Sequence, residues 1–322
     1  MALAGSEVVS RLFAAPVPVF DVDRLVAAGT GSDSRPEVRK YTASATVMLF
    51  SIPLVSKASV GSGYAVVEES GKTLSLQFGA GSYPEHARGL NRLGFIQEAI
   101  VEEEPGRPAE CAWLAFMTTS QEKNLDQAKK ALEASGAMVP YSASQGHGRQ
   151  GRFRSRVDRL EFSSTYTWRD IARLVEEARS SLTVLTGDER AVAGGQRPAT
   201  FLYLLRRAML DERARTSGCL VFNGREFQLD AAKEADPTAS AHFADRKLTG
   251  AGSAVIRLNA VLTEAGTGIK TPFRVWFEAG KGMLPLRFEY QAKSFLRLTF
   301  EADASASAPP IRFAFRSLRE NA

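Results

Sequence analysis

The chain has 322 residues, 41 Lys and Arg against 36 Asp and Glu, and a net charge of +5 with a pI near 9.2. Hydrophobic residues make up 44% and charged ones 24%, which excludes a disordered chain, and no apolar run reaches the roughly 20 residues of a transmembrane helix. The small cationic surplus does not call for a nucleic-acid partner, and a chain of this length buries enough surface to fold without a disulfide or metal staple.

Residues 1–36 mix short apolar pieces with Pro16 and Pro18 and end in a Gly/Ser/Pro-rich stretch, which reads as a lead-in and linker. They lack a basic region ahead of an apolar one, so the sequence as written is expected to carry no signal peptide. A β-rich region with helices is expected over 37–186, and a helix plus an antiparallel meander over 187–322.

From Tyr41 the pattern has period two, with Ala43, Ala45, Val47 and Leu49 on one face of a strand. Further strands are expected at 64–68, 73–78, 95–101 and 111–117, separated by Gly or Pro clusters. Thr119 and Glu122 can form a capping box that opens a helix through Leu132. A second helix begins near Thr167 and puts Trp168, Ile171, Leu174, Val175, Ala178 and Leu182 on one face. A third, over 199–213, has a broad apolar face of Phe201, Leu202, Leu204, Leu205, Ala208 and Met209, the width needed to pack against a sheet.

Beyond it, 219–222 and 225–229 flank Asn223-Gly224, the residues of a tight type I′ hairpin turn. Alternation continues through 254–262, 273–278, 286–291 and 296–301, and Ile311, Phe313 and Phe315 suggest one more strand. The apolar rows need a cover, and the third helix supplies it. The expected fold is therefore α+β, a curved, half-barrel-like antiparallel β-sheet covered by amphipathic helices.

The most unusual stretch runs from Phe78 to Arg92. A Ser82/Glu85 capping box with Pro84 in the first turn would leave backbone N–H groups free to hold an anion, with Arg88 and Arg92 adding charge and His86 a group that titrates near neutrality. Ser82, Glu85, His86, Arg88 and Arg92 are the candidate ligand-binding residues, although a structural turn and cap explains the same pattern. The stretch is neither a Walker loop nor a dinucleotide fingerprint. Gly61-Ser62-Gly63 lacks the outer glycines of a nucleophile elbow and reads as a bend or bulge.

No catalytic residue, metal or cofactor is assigned: His86, His147 and His242 are far apart in sequence, and no zinc spacing occurs. Cys111 and Cys219 lie in apolar strands and read as buried free thiols, with one long-range disulfide as the alternative. Arg152, Arg154 and Arg156 line one strand face, either as a solvated edge or as a contact for anions.

The segments Phe-Leu-Tyr-Leu-Leu-Arg-Arg from Phe201, Cys-Leu-Val-Phe-Asn-Gly-Arg from Cys219, Phe-Arg-Val-Trp-Phe-Glu from Phe273 and Leu-Pro-Leu-Arg-Phe-Glu-Tyr from Leu284 resemble an uncharacterised bacterial envelope family of curved β-sheets. That family is similar in general shape to the lipoprotein carriers. The resemblance covers about a third of the chain and implies an exported, periplasmic protein; without an export signal the location would be cytoplasmic. The expected function is non-enzymatic: binding of a lipid or another amphiphile, or an accessory role in the envelope. The alternatives are an enzyme acting on an anionic substrate near Ser82 to Arg92 and an interaction protein.

Overall fold

The computed structural model describes residues 36–49, 52–87, 89, 91–104, 106–118, 138–182, 190–191, 199–222, 224–280, 284–293 and 296–303. The expected helix after Thr119 and the strand at 311–315 lie outside them, as does nearly all of the lead-in.

The first half contributes β1 (Glu37–Leu49), β2 (Ile52–Ser70), β3 (Thr73–Ser82), β4 (Leu93–Glu104), β5 (Arg107–Thr118), β6 (Met138–Arg149) and β7 (Arg152–Ser163). A 3-10 turn at Trp168–Asp170 then leads into α1 (Ile171–Ser181), followed by the two-residue β8 (Arg190–Ala191). The second half contributes α2 (Phe201–Leu210), β9 (Arg215–Phe222), β10 (Arg225–Ala235), α3 (Pro237–Asp245), β11 (Val255–Glu264), β12 (Lys270–Glu278), β13 (Arg287–Lys293) and β14 (Leu296–Ala302).

All fourteen strands belong to one antiparallel sheet, ordered β8-β7-β6-β5-β4-β3-β2-β1-β14-β13-β12-β11-β10-β9. Sheet neighbours are consecutive in sequence except at one junction, where β1 pairs with β14 (Tyr41 opposite Ala302, Val47 opposite Leu296) and joins the two β-rich halves. The curved α+β fold is as the alternation implied.

The roll of the sheet goes beyond a half-barrel. Val221 on edge strand β9 packs against Trp113 of β5 and Phe153 of β7, so one edge is tucked beneath the opposite part of the sheet like the inner turn of a scroll. Overlap shields a backbone edge that would otherwise be open to intermolecular pairing. Gly146 makes room for it, since a Cβ there would lie 1.9 Å from the Trp113 ring.

Each face of the sheet has its own core. Inside the scroll, Ala65, Val67, Leu74, Leu76, Ile100, Leu229, Leu258, Val275 and Phe300 surround α2, which buries Tyr203, Leu204, Leu205, Ala208 and Met209. Outside, Tyr64, Val66, Phe95, Leu114, Phe116, Tyr141 and Phe162 receive Trp168 and the apolar face of α1. Strands β2 to β5 are therefore apolar on both faces, which is why their sequence alternates less cleanly than the C-terminal strands.

Several local readings hold. Thr167 and Asp170 form a capping box at the 3-10 turn ahead of α1. Gly224 closes the β9–β10 hairpin with φ +69°. Gly61 and Gly63 sit within β2, where a Cβ on Gly61 would lie 2.1 Å from the Gly81 carbonyl oxygen, so close strand approach demands glycine there. The register shift opposite lies between the Ala43 and Ala45 pairs. Arg152, Arg154 and Arg156 lie on β7, whose alternate residue Phe153 faces the core, and Arg156 donates to Asp158 at 2.8 Å. Cys111 and Cys219 are not joined in a disulfide, and burial pushes the Cys111 thiol up to about 12.

Candidate functional site

The interior helix α2 is anchored by a residue from a distant strand. Thr200 occupies its N-cap, but its own side chain makes no cap bond to the backbone. Glu98 of β4, 0% exposed, takes that role: its carboxylate accepts the Leu202 N–H at 2.8 Å, the Tyr203 N–H at 3.0 Å and the Thr200 hydroxyl. A helix N-terminus leaves its first N–H groups unbonded inside the helix, and a carboxylate satisfies them while facing the positive end of the dipole. Burial still dominates and raises the Glu98 pKa to about 7, against those hydrogen bonds. At the other end, Lys233 donates to the Met209 carbonyl at 3.0 Å and to that of Asp211. Tyr203 adds a bond from its hydroxyl to Glu102 at 2.6 Å.

Held in this way, α2 forms one wall of an apolar cleft. Phe201, Leu202, Leu205 and Met209 face Ala65, Val67, Leu76 and Phe78 across it, and Leu284, Pro285 and Phe288 close a side. The space between these walls amounts to about 600 Å³ including its solvent-open part. Its aromatic wall is continuous: ring centroids of Phe78 and Tyr41 are 6.3 Å apart, those of Phe78 and Phe288 6.1 Å, and those of Phe288 and Phe273 5.7 Å. The Tyr41 hydroxyl is committed to the Pro285 carbonyl at 2.8 Å, and burial raises its pKa. Arg206 is the charged residue in the lining. Its side chain is 13% exposed and pairs with Glu69, whose side chain is 48% exposed.

The Phe78 to Arg92 stretch divides between two jobs. Phe78 belongs to the cleft. Gly79 and Gly81 leave space for Trp168, whose ring a Cβ at either position would strike, at 2.8 Å and 2.6 Å. Trp168 stacks on Tyr64 with centroids 5.5 Å apart and donates its indole N–H to the Ser62 hydroxyl at 2.8 Å; that hydroxyl also bonds Tyr83 at 2.6 Å.

The candidate residues of this stretch are placed as follows. Ser82 accepts the Arg92 N–H at 2.8 Å, closing the loop on itself. Glu85 is exposed and pairs with Arg169, which holds its carboxyl below the usual range. His86 is exposed and stands edge-on to Tyr83 at 6.3 Å. Arg92 is half-buried and donates to the Asn91 carbonyl at 3.3 Å. Arg88 lies outside the described residues. A succession of turns, not a helix, occupies 84–87, with the His86 and Ala87 N–H groups both bonded to the Tyr83 carbonyl. The expected Ser82/Glu85 capping box does not form, because Ser82 is engaged by Arg92 and Glu85 by Arg169.

Sequence reasoning missed Glu98, Arg206 and Tyr41 as site residues. A lone glutamate in the apolar run Phe95–Val101 was the available signal for Glu98, since a charge there must be buried with a partner. Among the described residues, no group of three His, Cys, Asp or Glu side chains is placed to hold a metal ion, and no helix is long and apolar enough to cross a membrane.

No protein-family model matches the chain, and no curated protein does. Among solved structures, the chain is similar to the crystal structure of a beta-barrel-like protein of a domain of unknown function, DUF1849, from Brucella abortus. The identity is 9%, the match covers 83% of this chain and 95% of that one, and the TM-score is 0.42.

Proposed function

We propose that the protein is a non-enzymatic binder of an amphiphile, whose chain lies in the cleft beside α2 and whose anionic head is met by Arg206. The cleft carries this reading: its walls are aliphatic and aromatic, and a cation stands among them. Burying an alkyl chain against such walls stabilises a complex by about 0.8 kcal/mol per methylene. Arg206 is already paired with half-exposed Glu69, so a ligand carboxylate or phosphate would exchange one anion for another without stranding the guanidinium. In this reading the Ser82 to Arg92 turn serves the docking of Trp168, and a periplasmic location would suit a carrier of this kind.

Native mass spectrometry and lipid extraction of the purified protein, together with titration by a fluorescent fatty-acid analogue, test it. Co-purification of an amphiphile, or saturable probe binding that Leu205→Trp abolishes, is expected. Absence of both, or probe binding unchanged by Leu205→Trp, rejects the reading.

A further inference from the structure

Strand β2 is longer than its neighbours, 19 residues against 13 in β1 and 10 in β3, and its first part runs past the core. Every residue of 53–59 is exposed. This projecting β1–β2 hairpin carries large apolar side chains in water: Val47 is 43% exposed, Leu54 56% and Val55 60%. Val47 and Val55 are directly opposite partners and so share a face.

Following the strand register around the sheet places other turns at the same end. Val47 opposes Leu296 beside the β13–β14 turn, and the β11–β12 turn after Glu264 lies at the same level, with Ile269 61% exposed. Four of the nine exposed large apolar side chains among the described residues, Val47, Leu54, Val55 and Ile269, therefore lie at this end of the scroll.

Charge follows the same pattern. Residues 45–60, 265–273 and 291–297 span the three turns and contain no acidic residue, while they hold Lys57, Lys270, Lys293 and Arg297. Lys57 and Lys270 are exposed. Apolar tips beside the exposed Lys57 and Lys270, with Glu264 engaged by Arg225 and Thr267 and Glu289 by Arg297, are the composition of a surface that enters the headgroup layer of an anionic bilayer: apolar side chains gain from burial among acyl chains and each exposed cation from the negative surface potential. A protein partner with an acidic, apolar groove would satisfy part of this pattern. The lipid surface is favoured because the apolar tips belong to separate turns, which a planar interface can meet together.

The inner face also links this end to the cleft. From Phe288 in the cleft wall, Phe300, Tyr290, Leu298 and Ala45 continue the apolar row toward Val47. We infer that the end formed by the β1–β2, β13–β14 and β11–β12 turns docks on anionic lipid bilayers, with Leu54 and Val55 entering the interface. This docking is independent of what fills the cleft, and its test does not involve a cleft ligand.

The test is flotation of the full chain with vesicles of phosphatidylcholine alone and of phosphatidylcholine mixed equally with phosphatidylglycerol. The protein is expected to float with the mixed vesicles, less with neutral ones and less in high salt. Leu54→Ser/Val55→Ser is expected to weaken partitioning about tenfold or more while the circular dichroism spectrum and melting temperature stay unchanged. Lys57→Glu/Lys270→Glu should lower binding to the mixed vesicles and leave the residual binding to neutral ones in place. Failure of the unaltered protein to float overturns the inference, as does flotation insensitive to both double variants. Light scattering that shows a dimer dispersed by Leu54→Ser/Val55→Ser, without vesicle binding, would assign this end to a second copy and overturn it equally.

Discussion

Glu98 and Thr200 are 102 positions apart, yet the carboxylate of the first accepts the hydroxyl of the second and thereby fixes the start of the helix that walls the cleft. The carboxyl is fully buried, and its three donors offset only part of the cost of desolvating a charge there. Glu98→Ala leaves the donors of α2 without an acceptor and is expected to destabilise by about 1–3 kcal/mol for each donor left unsatisfied, read from urea unfolding. Probe binding should fall with it, because α2 loses its position.

The same residue gives the fold a pH dependence. Its folded pKa, about 7, lies above the ordinary carboxyl value of 4.5, so the protonated form is favoured in the fold. The contribution is fully present below pH 4.5 and is lost as pH rises toward 7, an effect of a few kcal/mol. The stability of the unaltered protein relative to Glu98→Gln should therefore fall as pH rises from 4.5 through 7 and level off above. A difference independent of pH across that window would show that Glu98 keeps one protonation state.

Trp168 is 0% exposed and occupies the space left by Gly79 and Gly81. Trp168→Ala should destabilise by about 3–5 kcal/mol through the cavity and the lost bond to Ser62. Gly79→Ala should cost about 1–3 kcal/mol by overpacking, because its Cβ would lie 2.8 Å from the Trp168 ring. In the double variant the two effects should partly cancel, since the added methyl then meets a cavity; strict additivity in thermal unfolding would refute the contact.

For Arg206, the expected signature is selectivity. Arg206→Ala should weaken an anionic amphiphile about tenfold and a neutral one of equal chain length little, and Glu69→Gln should tighten the anionic one by removing a competitor. Competition titrations with a fatty acid and the matching alcohol measure both.

Glu301 works in the opposite sense to Glu98. Burial would raise its pKa, but His242 at 2.9 Å and Arg287 hold it below the usual carboxylate range. Its contribution is present above pH 4.5 and lost as pH falls through the lowered value. Glu301→Gln should consequently remove part of the acid sensitivity of the fold, seen as a smaller loss of melting temperature between pH 5 and pH 3.

The sequence by itself determined the strands of the C-terminal meander, the Asn223-Gly224 turn and the apolar breadth of α2, because period-two and 3.6-residue patterns are local consequences of which face is dry. It showed less of β6, which was not foreseen, and of α3, whose Asp236 cap bonds the Ala239 N–H at 2.9 Å and whose Pro237 opens the helix in a stretch too short for a periodic signal. Tertiary structure alone decided that β1 closes on β14, that Val221 rolls under Trp113, and that Glu98 serves a helix a hundred residues away. Each of these depends on curvature summed over many strands and on contacts between distant residues, and neither leaves a periodicity that neighbouring residues can record.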